Sequence, residues 1–365
     1  LRIQLILIIM LAVPNVFLCQ VLTLETNLPS QIKETSGLIL LNQQLITHND
    51  SGGEPELYEI DSLTGAITRT VVVANATNRD WEEICLDANY IYIGDFGNNN
   101  GSRTNLMVYR IPILDYLATP NDTVIADTIL FDYSDQTDFT PTTFSTNYDG
   151  EAMIAYNDSL YIFSKNWGNN RTNIYSMSKV PGTYSINRVD SIDTQGLVCG
   201  AAIDTITNKI VLIGYTFVSS FMVEIDSFLG NNFSDGVIER NLISNGSGAL
   251  SQTEAVAFSR PDHYFVSAEE TSGDSAALYK LEIVEPTGIG SSNQVEIEIF
   301  PNPATELIQV NCTGLVRIEL YNIQCELLRS ERGKTISVSG LNSGTYLLRA
   351  FIQDGQSSFH KVMVK

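Results

Sequence analysis

Short apolar runs separated by polar turn segments repeat along residues 20–285. One string recurs in them: Leu57-Tyr58-Glu59-Ile60-Asp61, Val108-Tyr109-Arg110-Ile111-Pro112, Ile174-Tyr175-Ser176-Met177-Ser178, Met222-Val223-Glu224-Ile225-Asp226 and Leu278-Tyr279-Lys280-Leu281-Glu282. The central positions lie 51, 66, 48 and 56 residues apart. An apolar strand precedes each copy (Leu45 to His48, Ile91 to Gly94, Tyr161 to Ser164, Ile210 to Gly214, Tyr264 to Ala268), and another precedes each of those. A fourth follows in several cases, as in Ile67 to Val73, Ile125 to Phe131 and Val237 to Leu242. Four strands in a unit of ~40–50 residues are the signature of a β-propeller blade. The fifth unit lacks its outer strand, and Val21 to Glu25 is the segment to supply it, closing the ring without an exposed end blade. The expected fold of residues 20–285 is an all-β, five-bladed propeller. Six blades is the alternative, because the 66-residue interval is long.

The rhythm changes near Asn293. Shorter, mostly alternating runs follow (Val295 to Phe300, Leu307 to Val310, Val316 to Tyr321, Thr335 to Val338, Thr345 to Ile352, Phe359 to Val364), punctuated by Asn-Pro, Thr-Gly, Asn-Ser-Gly and Asp-Gly. Such spacing predicts a small antiparallel β-sandwich over 295–365, with 286–294 as the linker. An immunoglobulin-like adhesion module would satisfy the spacing equally well.

Motifs within this tail are more specific. They are Phe300-Pro301-Asn302-Pro303, Leu320-Tyr321-Asn322-Ile323-Gln324, a stretch from Leu341 that includes Gly344 and Tyr346, and the terminal Lys365. Together they resemble the type A C-terminal sorting domain of the type IX (Por) secretion system of the Bacteroidetes. The resemblance implies handling by the type IX secretion machinery and delivery to the cell surface or the medium. One departure is Cys325, where that family has glycine. At the other end, Leu5 to Val13 is unbroken apolar sequence after Arg2, too short for a membrane span of ~20 residues. Residues 1–19 are therefore expected to be a secretory signal, and no segment of the mature chain is long and apolar enough for a transmembrane helix.

Charge separates the two parts. The chain carries 21 Lys+Arg and 42 Asp+Glu, a net −21, yet residues 293–365 hold 7 of each. The whole excess lies in the cargo, which argues against nucleic-acid binding and fits solubility outside the cell or the binding of cations. Cys85, Cys199, Cys312 and Cys325 show no Cys-x-x-Cys spacing, so no zinc site is indicated. Cys85 and Cys199 sit in apolar strands as expected buried thiols, and sequence leaves open whether Cys312 and Cys325 pair.

Candidate chemistry follows from the repeat. In an up-and-down blade the start of the first strand and the end of the second share a face. Glu82, Glu151 and Glu254 stand at equivalent first-strand starts and are expected to ring one mouth of the central channel, with Asp50, Asp95 and Glu269 as a second tier. Gathered carboxylates raise one another's pKa values unless a cation or backbone N–H groups satisfy them. All-oxygen ligands suit Ca²⁺, or Mg²⁺ with waters retained, so a cation among these carboxylates is one expectation. A structural role in blade contacts is the competing expectation.

The Glu-Ala-apolar pattern opening a strand, with Asp95-Phe96-Gly97-Asn98-Asn99 closing the next, resembles the broad phytase-like and esterase-like propeller group of exported bacterial proteins. That resemblance covers 35–285 and implies Glu82, Glu151, Glu254 and Asp95 as candidate cation ligands. His48 beside Asp50 is a candidate base, and Phe96 and Trp167 are either loop plugs or stacking surfaces for a sugar. The expected function is an exported propeller that binds a ligand, partner or divalent cation. The alternative is a metal-dependent hydrolase of phosphoesterase or lactonase type.

Overall fold

The computed structural model describes residues 19–217, 219–244, 252–283, 297–322, 327–352 and 357–365. The expected signal segment before Cys19, the linker 286–294 and Cys325 lie outside the described residues. Among the described residues, no helix is long and apolar enough to cross a membrane.

The cargo is all-β and propeller-like. Four antiparallel meanders run Thr35–Leu41 to Ile67–Val73, Trp81–Leu86 to Asp127–Tyr133, Gly150–Tyr156 to Gly182–Ile192, and Leu197–Asp204 to Val237–Ser244. A fifth sheet holds Thr253–Arg260, His263–Ala268 and Ala277–Glu282, and takes its outer strand, Thr23–Asn27, from the start of the cargo. The first strand of each sheet is innermost. These strands pack in order on one another, and Thr253–Arg260 packs back on Thr35–Leu41.

Burial explains why these segments form these layers. Inner strands are covered on both faces, so Trp81–Leu86 and Gly150–Tyr156 are buried almost throughout and lose period-two alternation. The outer strand Asp127–Tyr133 alternates, with Ile129, Phe131 and Tyr133 inward. Apolar wedges fill the space between neighbouring sheets. One joins Ile46 and Val71 of the first sheet to Ile93 and Tyr109 of the second, and another joins Tyr92 and Val108 to Met153 and Ile162. Trp81 is fully buried in the first wedge, and its truncation to Ala would cost about 3–5 kcal/mol.

The long interval between Tyr109 and Tyr175 holds a short helix, Ile113–Ala118, and an extended segment, 134–149, that lies beside the second-strand loops. Three parallel pairings were not visible in the patterning, and one of them joins Ile129–Tyr133 to Gly182–Ile186, so that the second and third meanders form one eight-stranded sheet. In the other two, Cys19–Val21 pairs with Leu242–Ser244, and Thr123–Val124 pairs with Val72–Val73. Both of these cover outer strands that would otherwise expose unpaired backbone.

In the tail, a three-stranded and a four-stranded sheet share one core that includes Ile308, Val310, Leu320, Leu348 and Val362. Its motif residues fasten the last strand. The Asn302 side chain donates to Lys361 O at 3.1 Å and accepts from Met363 N–H at 2.8 Å. Ala304 exchanges backbone bonds with Met363 and Lys365, both at 2.8 Å. Pro301 and Pro303 follow cis peptide bonds on either side of Asn302. Gly344 opens the strand Gly344–Ile352, and the buried Tyr346 donates its hydroxyl to Asn342 O at 2.7 Å. Phe300 remains partly exposed at the end of its strand.

Candidate functional site

Every inner strand carries one extra residue near its start, at the same level of the ring. Pairing shifts between Thr35 and Leu38, Trp81 and Glu83, Gly150 and Ala152, Val198 and Gly200, and Thr253 and Ala255. A bulge leaves its extra residue unpaired and re-aims the side chain. The residues so displaced are Glu82, Glu151, Cys199 and Glu254, with Ser36-Gly37 in the first strand. Ser36, Glu82, Glu151 and Glu254 line one cavity of about 230 Å³. Thus three of the four expected ligands face the same space, together with Asp50 and Glu269 from second-strand ends.

Ligand atoms in the mouth fall into two groups. Oxygens of Asp50, Asp80 and Glu82 lie within 4.8 Å of one another, and so do those of Glu151 and Glu254 with the Cys199 sulfur. The second group has an internal counter-ion. Lys165 Nζ lies 3.1 Å from Glu151 Oε1 and 5.2 Å from the ring centroids of both Trp167 and Tyr215. Burial opposes the lysine's charge, but Cys199, Glu151 and Glu254 hold its pKa well above the ordinary value.

The first group is less fully neutralised, with Arg103 touching only its Asp80 edge. Glu82 is only 4 % exposed, and no hydrogen bond or ion pair reaches its carboxylate among the described residues. Gly97 makes room for it, since a Cβ at that position would collide with Glu82 Oε1. Asp50 Oδ1 is likewise buried without a hydrogen-bond partner. Burial and then the Glu151, Asp50 and Asp80 charges push Glu82 well above the usual carboxylate range. The same causes, burial first, push Asp50 to about 7, with Asp80 and Glu269 as its charged neighbours. Asp80 is pushed up to about 6, mainly by burial, although Arg103 at 3.8 Å pulls the other way.

Asp95 sits apart from this cavity. Its Oδ1 accepts from Arg103 at 2.7 Å, and its Oδ2 is buried without a partner. His48 is buried against Trp81, with ring centroids 5.5 Å apart, and burial lowers its pKa to about 4. Phe96 is a core residue beside Phe131, whereas Trp167 lines the mouth and donates its indole N–H to Asp149 at 2.8 Å. Cys85, Cys199 and Cys312 are buried free thiols.

The patterning missed Glu83. Its counterparts in the other bulges are Gly37, Ala152, Gly200 and Ala255, all small because the strands converge there. A Cβ on Gly200 would lie 2.5 Å from Glu254 O. Glu83 fills the space they leave, accepting from Ala201 N–H at 2.8 Å and Ile84 N–H at 3.0 Å, with the Met153 and Leu38 amides also reaching it. The signal was present in the sequence as the one large residue in a column of small ones.

Residues 298–365 match the family described as "Secretion system C-terminal sorting domain". The tail is therefore a type IX sorting domain, and the protein is exported to the cell surface or beyond it. No curated protein matches the chain by sequence. Among solved structures, the PQQ-bound aldose sugar dehydrogenase of Streptomyces coelicolor is 11 % identical, covers 72 % of this chain and 97 % of its own, and has a TM-score of 0.40. A quinonprotein alcohol dehydrogenase-like protein of Bacteroides thetaiotaomicron is 11 % identical over 92 % of this chain and 67 % of its own, with a TM-score of 0.33.

Proposed function

We propose that the exported cargo is a five-bladed β-propeller, followed by a small β-sandwich, and that its acidic mouth binds a divalent cation of the Ca²⁺ type. The ring of inner strands and the borrowed outer strand Thr23–Asn27 support the blade number. The observation that carries the cation reading is the Asp50–Asp80–Glu82 group: three carboxylates within 4.8 Å, with Asp50 Oδ1 buried and unpartnered and Glu82 almost wholly buried. A wholly oxygen donor set fits a hard cation. The Glu151–Cys199–Glu254 group fits it less well, since Lys165 already supplies a positive charge and the thiol is a soft ligand. The ligand set drawn from the sequence therefore narrows to Glu82, joined by Asp50 and Asp80.

Hydrolysis of phosphate esters draws less support. Lys165 is the one cationic residue among the described lining, and it is held by Glu151, so no free positive group meets a phosphate. Calorimetric titration of the intact protein with Ca²⁺ tests the cation reading, with Glu82→Gln as the control. Saturable heat that the variant loses is expected. Absence of heat from the parent protein would refute it.

A further inference from the structure

The mouth contains more than a seat for an ion. Its cavity of about 230 Å³ is lined both by carboxylates and by the aromatic residues Phe144, Trp167 and Tyr215. The protein already places an alkylammonium in this setting. The butyl-ammonium of Lys165 rests on one carboxylate and two ring faces, the combination that favours organic cations over hydrated metal ions.

Phe144 repeats the theme at the rim. It is 57 % exposed, holds a left-handed backbone (φ 53°) that a bulky residue rarely adopts, and stands 4.6 Å from the Trp167 ring. Its N–H is fixed by Asn99 O at 3.1 Å, so the ring is presented to the opening and not buried. An exposed aromatic held in this way offers an apolar surface to whatever enters. Glu82, only 4 % exposed, lines the same cavity, as does Asp50, whose Oδ1 is buried without a partner.

We propose that the mouth binds a small organic molecule bearing a protonated primary amine, its ammonium between Asp50 and Glu82 and its carbon skeleton against Trp167 and Phe144. This rests on the reading of the mouth as a cation seat and names the class of cation. An ammonium supplies up to three donors, one of which can meet the unpartnered Asp50 Oδ1. The aliphatic part gains the apolar contact that a metal ion cannot make.

The test uses 1,5-diaminopentane, its neutral analogue 1,5-pentanediol and CaCl₂ on the intact protein. Calorimetry and tryptophan fluorescence are the readouts, because Trp167 lines the cavity and the other tryptophan, Trp81, is fully buried. Saturable binding of the diamine but not the diol is expected, weakened roughly tenfold or more by Glu82→Gln or Asp50→Asn. Phe144→Ala is expected to weaken it by a smaller factor. If CaCl₂ binds and the diamine does not, the amine proposal fails while the cation reading stands. Equal binding of diamine and diol, or diamine binding indifferent to both acidic variants, also overturns it. Silence from both cations removes the two readings together.

Discussion

The Glu83 carboxylate of the second sheet accepts the Ala201 N–H of the fourth at 2.8 Å, spanning the inner ring. Ile84, Met153 and Leu38 add amides from the second, third and first sheets. One side chain thus satisfies backbone donors that face inward and have no ladder partner there. Burial holds the pKa of Glu83 well above the ordinary carboxylate range, and the amides only partly offset it. Glu83→Ala would leave several buried N–H groups unmet and should lower stability by roughly 3 kcal/mol or more. Glu83→Gln keeps one acceptor oxygen and should lose less. Urea denaturation of both variants checks the order, and an alanine variant as stable as the parent would show that Glu83 is not the fastening.

The mouth makes stability depend on pH in an unusual direction. Asp50, Asp80 and Glu254 are pushed up to about 7, 6 and 8, from ordinary values of 3.8, 3.8 and 4.5, chiefly by burial. Between about pH 4 and 8 the folded protein holds protons that the unfolded chain has released, so stability falls as pH rises through this window. In chelator-containing buffer, the melting temperature should be lower at pH 8 than at pH 5.5. Adding Ca²⁺ should raise it most at pH 8. A melting temperature that rises over this interval would contradict the assignment.

Lys165 is the internal counter-ion of the other half of the mouth. Lys165→Met leaves Glu151 and Glu254 facing one another without it, a change that costs about 3–5 kcal/mol for a broken buried pair. Protonation relieves the repulsion, so the loss should be larger at pH 8 than at pH 5. Parallel denaturation curves at the two pH values measure the difference. An equal loss at both would mean that packing against Trp167 and Tyr215, and not charge, is what the lysine provides.

Asn302 fastens the final strand of the sorting domain with two hydrogen bonds. Asn302→Ala should destabilise that domain by roughly 1–3 kcal/mol and leave the cargo's own melting unchanged. Deleting the residues after Ser292 should retain the cargo in the periplasm. Cell-fractionation blots follow the second prediction, and undiminished surface protein would refute it.

Much of the architecture was legible because each repeat ends its third strand in the same apolar–Tyr-like string and the turns between strands are polar. The borrowed outer strand could be read from a unit one strand short. Glu82, Glu151 and Glu254 stood out as acidic residues at equivalent positions. Cys199 and Ser36, which complete that ring, did not share their chemistry. The bulges themselves were hidden, because strands buried on both faces show no alternation from which a one-residue slip could be seen. Lys165 as a counter-ion and the withdrawal of Asp95 to Arg103 depend on contacts between sheets, which no local pattern encodes.

The pairing of Thr23–Asn27 with Ala277–Lys280 has a consequence for assembly. It joins segments separated by nearly the whole cargo, so the loop it closes is the most entropically demanding in the domain. A chain emerging from synthesis can build its first four sheets yet cannot shut the circle until the fifth arrives. The last act of folding therefore waits for sequence just ahead of the sorting tail, and the open circle persists until the strand Ala277–Glu282 has been made.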